Sequence, residues 1–259
     1  MSARKQERRW ARLTPADFDA LKQKTDVALL PIGCVENHGP HNPFGVDSLW
    51  GEAICDRAAV IEPAIILPTI YYNINSMMKC YTGTISIRPT VVIEMYRTIC
   101  EEAARNGFPK ILGCISHAGS EPTVHCASEE ELENSTQSRP APRRFWFFRV
   151  RLSDHIPAKR PKAHDFDHGG FMETAMTMAA QPGVVKLERC PGKGEWKLPT
   201  AVDVNAYYPY DWIRSVPLGY SGDPRTATEK IGNKYVNAAA QSLAKVIARA
   251  RKFNPKKDI

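Results

Sequence analysis

Leu30-Pro-Ile-Gly-Cys-Val-Glu36-Asn-His38-Gly-Pro-His41-Asn-Pro-Phe-Gly-Val-Asp47-Ser48 sets four side chains able to hold a divalent cation behind an apolar run. That run, Val27 to Ile32, reads as a buried strand, and Gly33 lets the chain leave it at the carboxyl end, where open α/β sheets gather ligands. In extended backbone, residues two apart project to one side, so Glu36 and His38 can point at the same place. The Gly-Pro and Asn-Pro pairs that follow are turn chemistry, able to return Asp47 toward them just before a helix that starts at Ser48. The stretch has the makings of a site for a hard-to-borderline divalent metal.

Outward from it, strands and helices alternate. Thr14-Pro15-Ala16-Asp17 is a helix start, with Thr14 as cap, and that helix runs to about Lys24. The helix from Ser48 ends before Pro63, and Ala64 to Ile70 reads as a second buried strand. Pro89 opens a third helix that runs to Arg105, closed by Asn106-Gly107. Lys110 to Ile115 is a third buried strand, delivering His117 where Glu36 and His38 arrive if the two strands are parallel. Ser120 caps a helix that begins at Glu121-Pro122 and ends near the acidic residues up to Glu133, and Asn134 to Arg143 reads as an exposed loop. Arg144 to Arg151 interleaves basic and aromatic residues; a strand is expected there rather than a single-strand nucleic-acid binder. Asp165 to Thr174 is a second polar motif that runs into a helix, and Ala227 to Arg251 is a long amphipathic packing helix. The expected fold is a three-layer α/β/α domain, residues 1–259, with a mostly parallel central sheet.

The composition agrees. A chain of 259 residues, 43% apolar and 24% charged, can bury one sizeable core. It has no apolar run near the ~18 residues of a membrane helix and no signal-peptide pattern, so a cytoplasmic protein without membrane partners is expected. Its seven cysteines, with no Cys-x-x-Cys pair, read as reduced core thiols; Cys34 alone stands beside the expected chemistry, where its neighbours suit a metal better than a thiolate nucleophile. The net charge of +7 is carried by basic tails (1–12 and the end of the chain, including 252–259) and by residues 139–162, which leaves the rest of the chain acidic. An acidic body suits cation capture, and the basic ends read as solvated tails, so no nucleic-acid partner is expected.

The residues that matter most are Glu36, His38, Asp47, His117 and Glu173, followed by His168. Two imidazoles and three carboxylates are what Zn²⁺, Mn²⁺ or Fe²⁺ accept, and an aspartate can bridge two ions through its two oxygens. His168 could then shuttle a proton to a leaving nitrogen. Structural roles compete at each position: Asp47 as a helix cap, Glu173 as complement to a helix amino terminus, His117 as a hydrogen-bonded strand end, His41 as a loop residue.

Taken together, Pro31-Ile-Gly-Cys-Val-Glu-Asn-His-Gly-Pro-His41 with Asp47, Tyr81-Thr-Gly-Thr-Ile-Ser86, His117-Ala-Gly119, His168-Gly-Gly-Phe-Met-Glu-Thr174 and Gly222-Asp-Pro-Arg-Thr-Ala-Thr-Glu-Lys230 resemble the creatininase (creatinine amidohydrolase) family from about Thr14 to Arg251. The resemblance implies a three-layer α/β/α fold, two divalent ions per chain, hydrolysis of C–N bonds by metal-bound hydroxide, and a homo-oligomer, commonly a hexamer. By position, Glu36, Asp47 and His117 would hold one metal, His38 and Asp47 the second, and His168 matches the acid/base histidine. Family members usually carry Asn-Gly-His-Gly-Gly-Asn where this chain has Ile115-Ser-His-Ala-Gly-Ser120, and creatininase places a ligating glutamate where this chain has Gly119. Glu173, with Asp165 as the second choice, is expected to supply that carboxylate, so Glu173 stands as both ligand and catalytic residue. Ala118, Gly119 and His164, the last where creatininase has a substrate-covering tryptophan, argue against creatinine as substrate. The expected activity is therefore metal-dependent hydrolysis of a small polar cyclic amide, lactam or formamide. The alternatives are a carbocyclic or sugar-derived ring as substrate, or a catalytically silent oligomeric member.

Overall fold

The structure is a computed structural model that describes residues 6–134, 145–157, 167–197, 212–254 and 257. The expected 134–143 loop past its first residue, Arg144, His164, Asp165 and parts of both tails lie outside the described residues. In chain order the elements are α1 (Pro15–Lys22), β1 (Val27–Ile32), α2 (Val46–Ile61), β2 (Ile65–Ile66), α3 (Pro89–Arg105), β3 (Lys110–Ile115), α4 (Glu121–Asn134), β4 (Trp146–Arg151), α5 (Phe171–Ala180) and α6 (Glu229–Lys252). The four strands form one parallel sheet in the order β2-β1-β3-β4.

The pleat sorts each strand between two cores. In β1, Val27 and Leu29 join α2, α5 and α6, while Ala28, Leu30 and Ile32 join α1, α3 and α4. All six residues of β1 and of β3 are buried, as strands covered by helices on both faces must be. The result is the three-layer α/β/α arrangement, and burying each large aliphatic side chain contributes ~1.5–3 kcal/mol. Pro31 is tolerated in this central strand for a local reason. Its carbonyl accepts the Ile70 N–H at 2.9 Å, so its missing N–H faces the side on which β2 has already ended.

Three boundaries differ from the sequence expectation. The second strand is only Ile65–Ile66: the Leu67 N–H still reaches the Leu29 carbonyl, Pro31 has no N–H to return, and Ile70 resumes as an isolated bridge to Ile32. Helix α2 begins at Val46 with Gly45 as its cap, so Asp47 lies inside the first turn instead of capping from outside. Helix α6 starts at Glu229, because Thr228 accepts the Ile231 N–H and Pro224–Thr226 forms a separate 3₁₀ turn.

Arg144 aside, the basic aromatic stretch is a strand. Phe147 packs toward one core, Phe148 toward the other, and the rings of Trp146 and Phe148 meet Phe253 edge-on. Its arginines, Arg149 and Arg151, pair with Glu121. Among the described residues no helix is long and apolar enough to cross a membrane.

Candidate metal centre

Register places the site. Ile32 lies opposite Ile115, and the Ser116 N–H continues the ladder to the Ile32 carbonyl at 3.0 Å, so β1 and β3 release their chains side by side. Glu36 and His38 leave from one, His117 from the other. Asp47 arrives from the first turn of α2, which crosses so closely that a Cβ on Gly33 would lie 2.3 Å from Ser48 Oγ. Glu173 comes from the first turn of α5. The His168-Gly-Gly segment passes over the His38 carbonyl, where Gly169 has φ +62° and a Cβ would fall 2.6 Å from that oxygen.

These groups meet in the interior. Glu36, His38, Asp47, His117 and His168 are each less than a tenth exposed, and Glu173 is part-buried. His117 Nδ1 lies 3.1 Å from Glu36 Oε2 and 3.1 Å from Asp47 Oδ2, while its Nε2 is 2.9 Å from the Ile74 carbonyl. His38 Nε2 lies 3.6 Å from both Asp47 Oδ1 and Glu173 Oε2, and its Nδ1 is 3.1 Å from the Glu36 carbonyl. Asp47 thus turns one oxygen to each imidazole. His168 stacks on His38 at 4.2 Å, places Nε2 2.8 Å from the Asn37 carbonyl, and meets the edge of Trp212. Glu173 Oε2 also accepts the Gly169 N–H at 2.7 Å, and Asp167 caps α5 through the N–H groups of Met172 and Glu173.

Burial disfavours every charge here, and the pairings decide which charges survive. Burial pushes the Glu36 carboxyl up, but the facing His117 outweighs it and the group stays below its ordinary range. Asp47 is likewise held well below, against burial, by His38 and His117. Against the same burial, Asp47, Glu173 and Glu36 push His38 up to about 10, and Glu36 and Asp47 hold His117 well above its ordinary value. Glu173 is raised well above the carboxylate range by burial, His38 opposing and the like charges of Asp47 and Asp167 adding. His168 is pushed down to about 4 by burial and by the charge on His38. Protons on His38, His117 and Glu173 therefore neutralise the cluster when no cation does.

The donor set fits divalent cations. His38 Nε2 is buried with no hydrogen-bond partner among the described residues. Its 3.6 Å separations from Asp47 and Glu173 are too long for hydrogen bonds. They are close to the edge of about 3.4 Å between nitrogen and oxygen ligands on one tetrahedral zinc. Among the described residues, three groups of ligand atoms converge within 4.8 Å: Cys34, Glu36, Asp47 and His117; His38, Asp47 and Glu173; and Glu36, His38 and His168.

All six residues singled out in the sequence are thus brought together. Missing from that selection are the Ile74 and Asn37 carbonyls, Trp212 and the Cys34 thiol. The first three come from irregular segments with no periodic signal, whereas Cys34 obeys the same two-residue rule that paired Glu36 with His38. His41 is in a loop, as expected, but is buried: its Nε2 is 2.9 Å from the Gly169 carbonyl and Tyr220 packs edge-on against its ring. Gly119 contributes space, since a Cβ there would lie 2.5 Å from His117 Nε2.

Fold and site together define an α/β protein with a carboxylate–imidazole centre at the carboxyl edge of a parallel sheet. The family model for creatininase (creatinine amidohydrolase) matches residues 11–247, and the chain belongs to that family of metal-dependent amidohydrolases. It is 26% identical to creatinine amidohydrolase of Pseudomonas putida over 249 residues, 91% of this chain and 94% of that one. It is 22% identical to the mycofactocin precursor peptide peptidase of Mycolicibacterium smegmatis, covering 86% of each. A crystal structure of creatininase superposes with a TM-score of 0.82 at 23% identity, covering 95% of this chain and 99% of that one. Creatininases of the same fold have been solved as a Zn-Zn form of a variant and as a manganese form, with TM-scores of 0.78 and 0.74.

Proposed function

We propose that this chain hydrolyses a C–N bond in a small polar cyclic amide, lactam or formamide, with two divalent ions (Zn²⁺, Mn²⁺ or Fe²⁺) held by Glu36, Asp47 and His117 and by His38, Asp47 and Glu173. The observation that carries this is Asp47, a single buried carboxylate whose two oxygens face two separate groups of ligand atoms. Bound there, divalent cations supply a Lewis acid for the carbonyl and lower the pKa of water. The protein supplies the rest. His168, donating Nε2–H to the Asn37 carbonyl, takes the proton of the attacking water at Nδ1 and passes it to the leaving nitrogen. Water's oxygen ends on the carbonyl carbon and its proton on the nitrogen. Trp212, edge-on to His168, walls the proton path on one side.

Creatinine is not the proposed substrate, because by the resemblance Ala118 and Gly119 stand where creatininase carries bulky and acidic groups. A second substrate class, a peptide C–N bond, is favoured by the likeness to the mycobacterial peptidase. The test joins metal analysis of the purified protein to a hydrolysis screen over lactams, hydantoins, formamides and short peptides. Bound divalent metal is expected, reduced by one ion in His38→Ala and lost in Asp47→Ala, together with turnover of at least one class. Unchanged metal content in both variants refutes the ligand assignment, and a protein that takes up neither Zn²⁺ nor Mn²⁺ refutes the enzyme.

A further inference from the structure

Cys34 is fully buried just past the end of β1, and its thiol is committed to the metal centre instead of to the core. Its Sγ donates to Asp47 Oδ2 at 3.0 Å and to Glu36 Oε2 at 3.3 Å. Those are the same two oxygen atoms that face His117 Nδ1, each at 3.1 Å. Sulfur and nitrogen therefore face one pair of carboxylate oxygens, and all four atoms lie within 4.8 Å of one another. Four ligands on a tetrahedral zinc stand about 3.4 Å apart for oxygen and nitrogen and about 3.6 Å apart for sulfur and oxygen. The four separations in the protein, 3.0 to 3.3 Å, fall short of those edges by about 0.3 Å for three and about 0.6 Å for Sγ to Asp47. A small outward movement of each side chain makes room for a cation at the centre.

We propose, resting on the metal centre above, that Cys34 is the fourth protein ligand of the cation held by Glu36, Asp47 and His117. On binding, the S–H bond breaks, its proton passes to solvent and a sulfur lone pair enters the metal's coordination; nothing is oxidised or reduced. Two consequences follow from the chemistry. Four protein ligands close this position, as in structural zinc sites, whereas His38, Asp47 and Glu173 are three and leave the other position open to water and substrate. A soft thiolate also favours Zn²⁺ over Mn²⁺ at the closed position, so the two positions differ in metal preference.

Cobalt reports thiolate ligation directly. The full-length protein is stripped with a chelator and reloaded with Co²⁺, and its cobalt content and absorption spectrum are measured for wild type, Cys34→Ser and Cys34→Ala. Wild type is expected to show an intense near-ultraviolet sulfur-to-cobalt charge-transfer band that both variants lose while still binding cobalt. In zinc and manganese titrations, zinc affinity at this position is expected to fall by about ten- to a hundredfold in Cys34→Ala, with manganese affected less. Cobalt bound to wild type without the band, or a band that persists in Cys34→Ala, overturns the role of Cys34 and leaves the metal centre standing. No cobalt uptake by wild type overturns both. Cys34→Ser is nearly isosteric and keeps a hydrogen-bond donor, so it separates loss of ligation from loss of folding.

Discussion

Replacing Gly232 with alanine sets two opposed effects against each other, and the structure decides the sign. Gly232 lies in α6 where it crosses α5. Taken as an exposed helical site, Gly→Ala stabilises by ~1 kcal/mol through helix propensity and the unfolded chain. Here a Cβ would fall 1.8 Å from the Ala175 carbonyl oxygen and 2.4 Å from its carbon, both backbone atoms that no rotamer change can move. Ordinary carbon–oxygen contact begins near about 3.3 Å, so the helices must separate by roughly 1.5 Å. Overpacking of this kind costs ~1–3 kcal/mol, and rigid backbone on both sides puts Gly232→Ala at the upper end. The net expectation is a loss of ~2 kcal/mol, or roughly 4–8 °C in Tm for a chain of this size. Because Glu173 is two residues before Ala175, the variant should also bind the second cation more weakly than the first. Denaturant unfolding followed by metal titration measures both. A variant as stable as wild type or more so would refute the close approach of α5 and α6.

His168→Gln should retain bound metal and lower turnover of the substrate found in the screen by ~10²–10⁴-fold, since it removes a proton carrier and no proposed ligand; metal analysis and steady-state kinetics check this. Metal uptake should release protons, because His38, held at about 10, and His117, held above its ordinary value, are protonated near neutral pH and must be neutral to bind a cation. The metal-bound state carries fewer protons, so apparent affinity rises with pH from neutrality upward. Calorimetry in buffers of different ionisation enthalpy reads the release directly, and uptake without it would contradict the pairings of His38 and His117.

Much of the fold was legible because local signals agreed with one another. The apolar runs at Val27–Ile32 and Lys110–Ile115, the Thr14 cap, and the Asn106-Gly107 stop each match an observed element. Where expectation and structure part, backbone hydrogen bonding intervened. The second strand stops at Ile66 although apolar residues continue, because Pro31 in β1 has no N–H to return to the Leu67 carbonyl. Helix α6 begins at Glu229 because the Thr228 hydroxyl accepts the Ile231 N–H as its cap, a preference that the apolar period alone does not register.

The chemistry divides in the same way. Residue types and spacing alone determined that Glu36 and His38 leave a strand end on one side, and that Asp47, His117 and Glu173 are of a kind to join them. Only the tertiary structure decided that Asp47 offers one oxygen to His117 and the other to His38, that Glu173 reaches His38 from α5, and that Cys34 faces the same two oxygens as His117. Sequence spacing constrains direction along one strand. Distances between side chains on separate elements depend on the register of β1 against β3 and on the close approaches at Gly33 and Gly169, which exist only once the layers have packed.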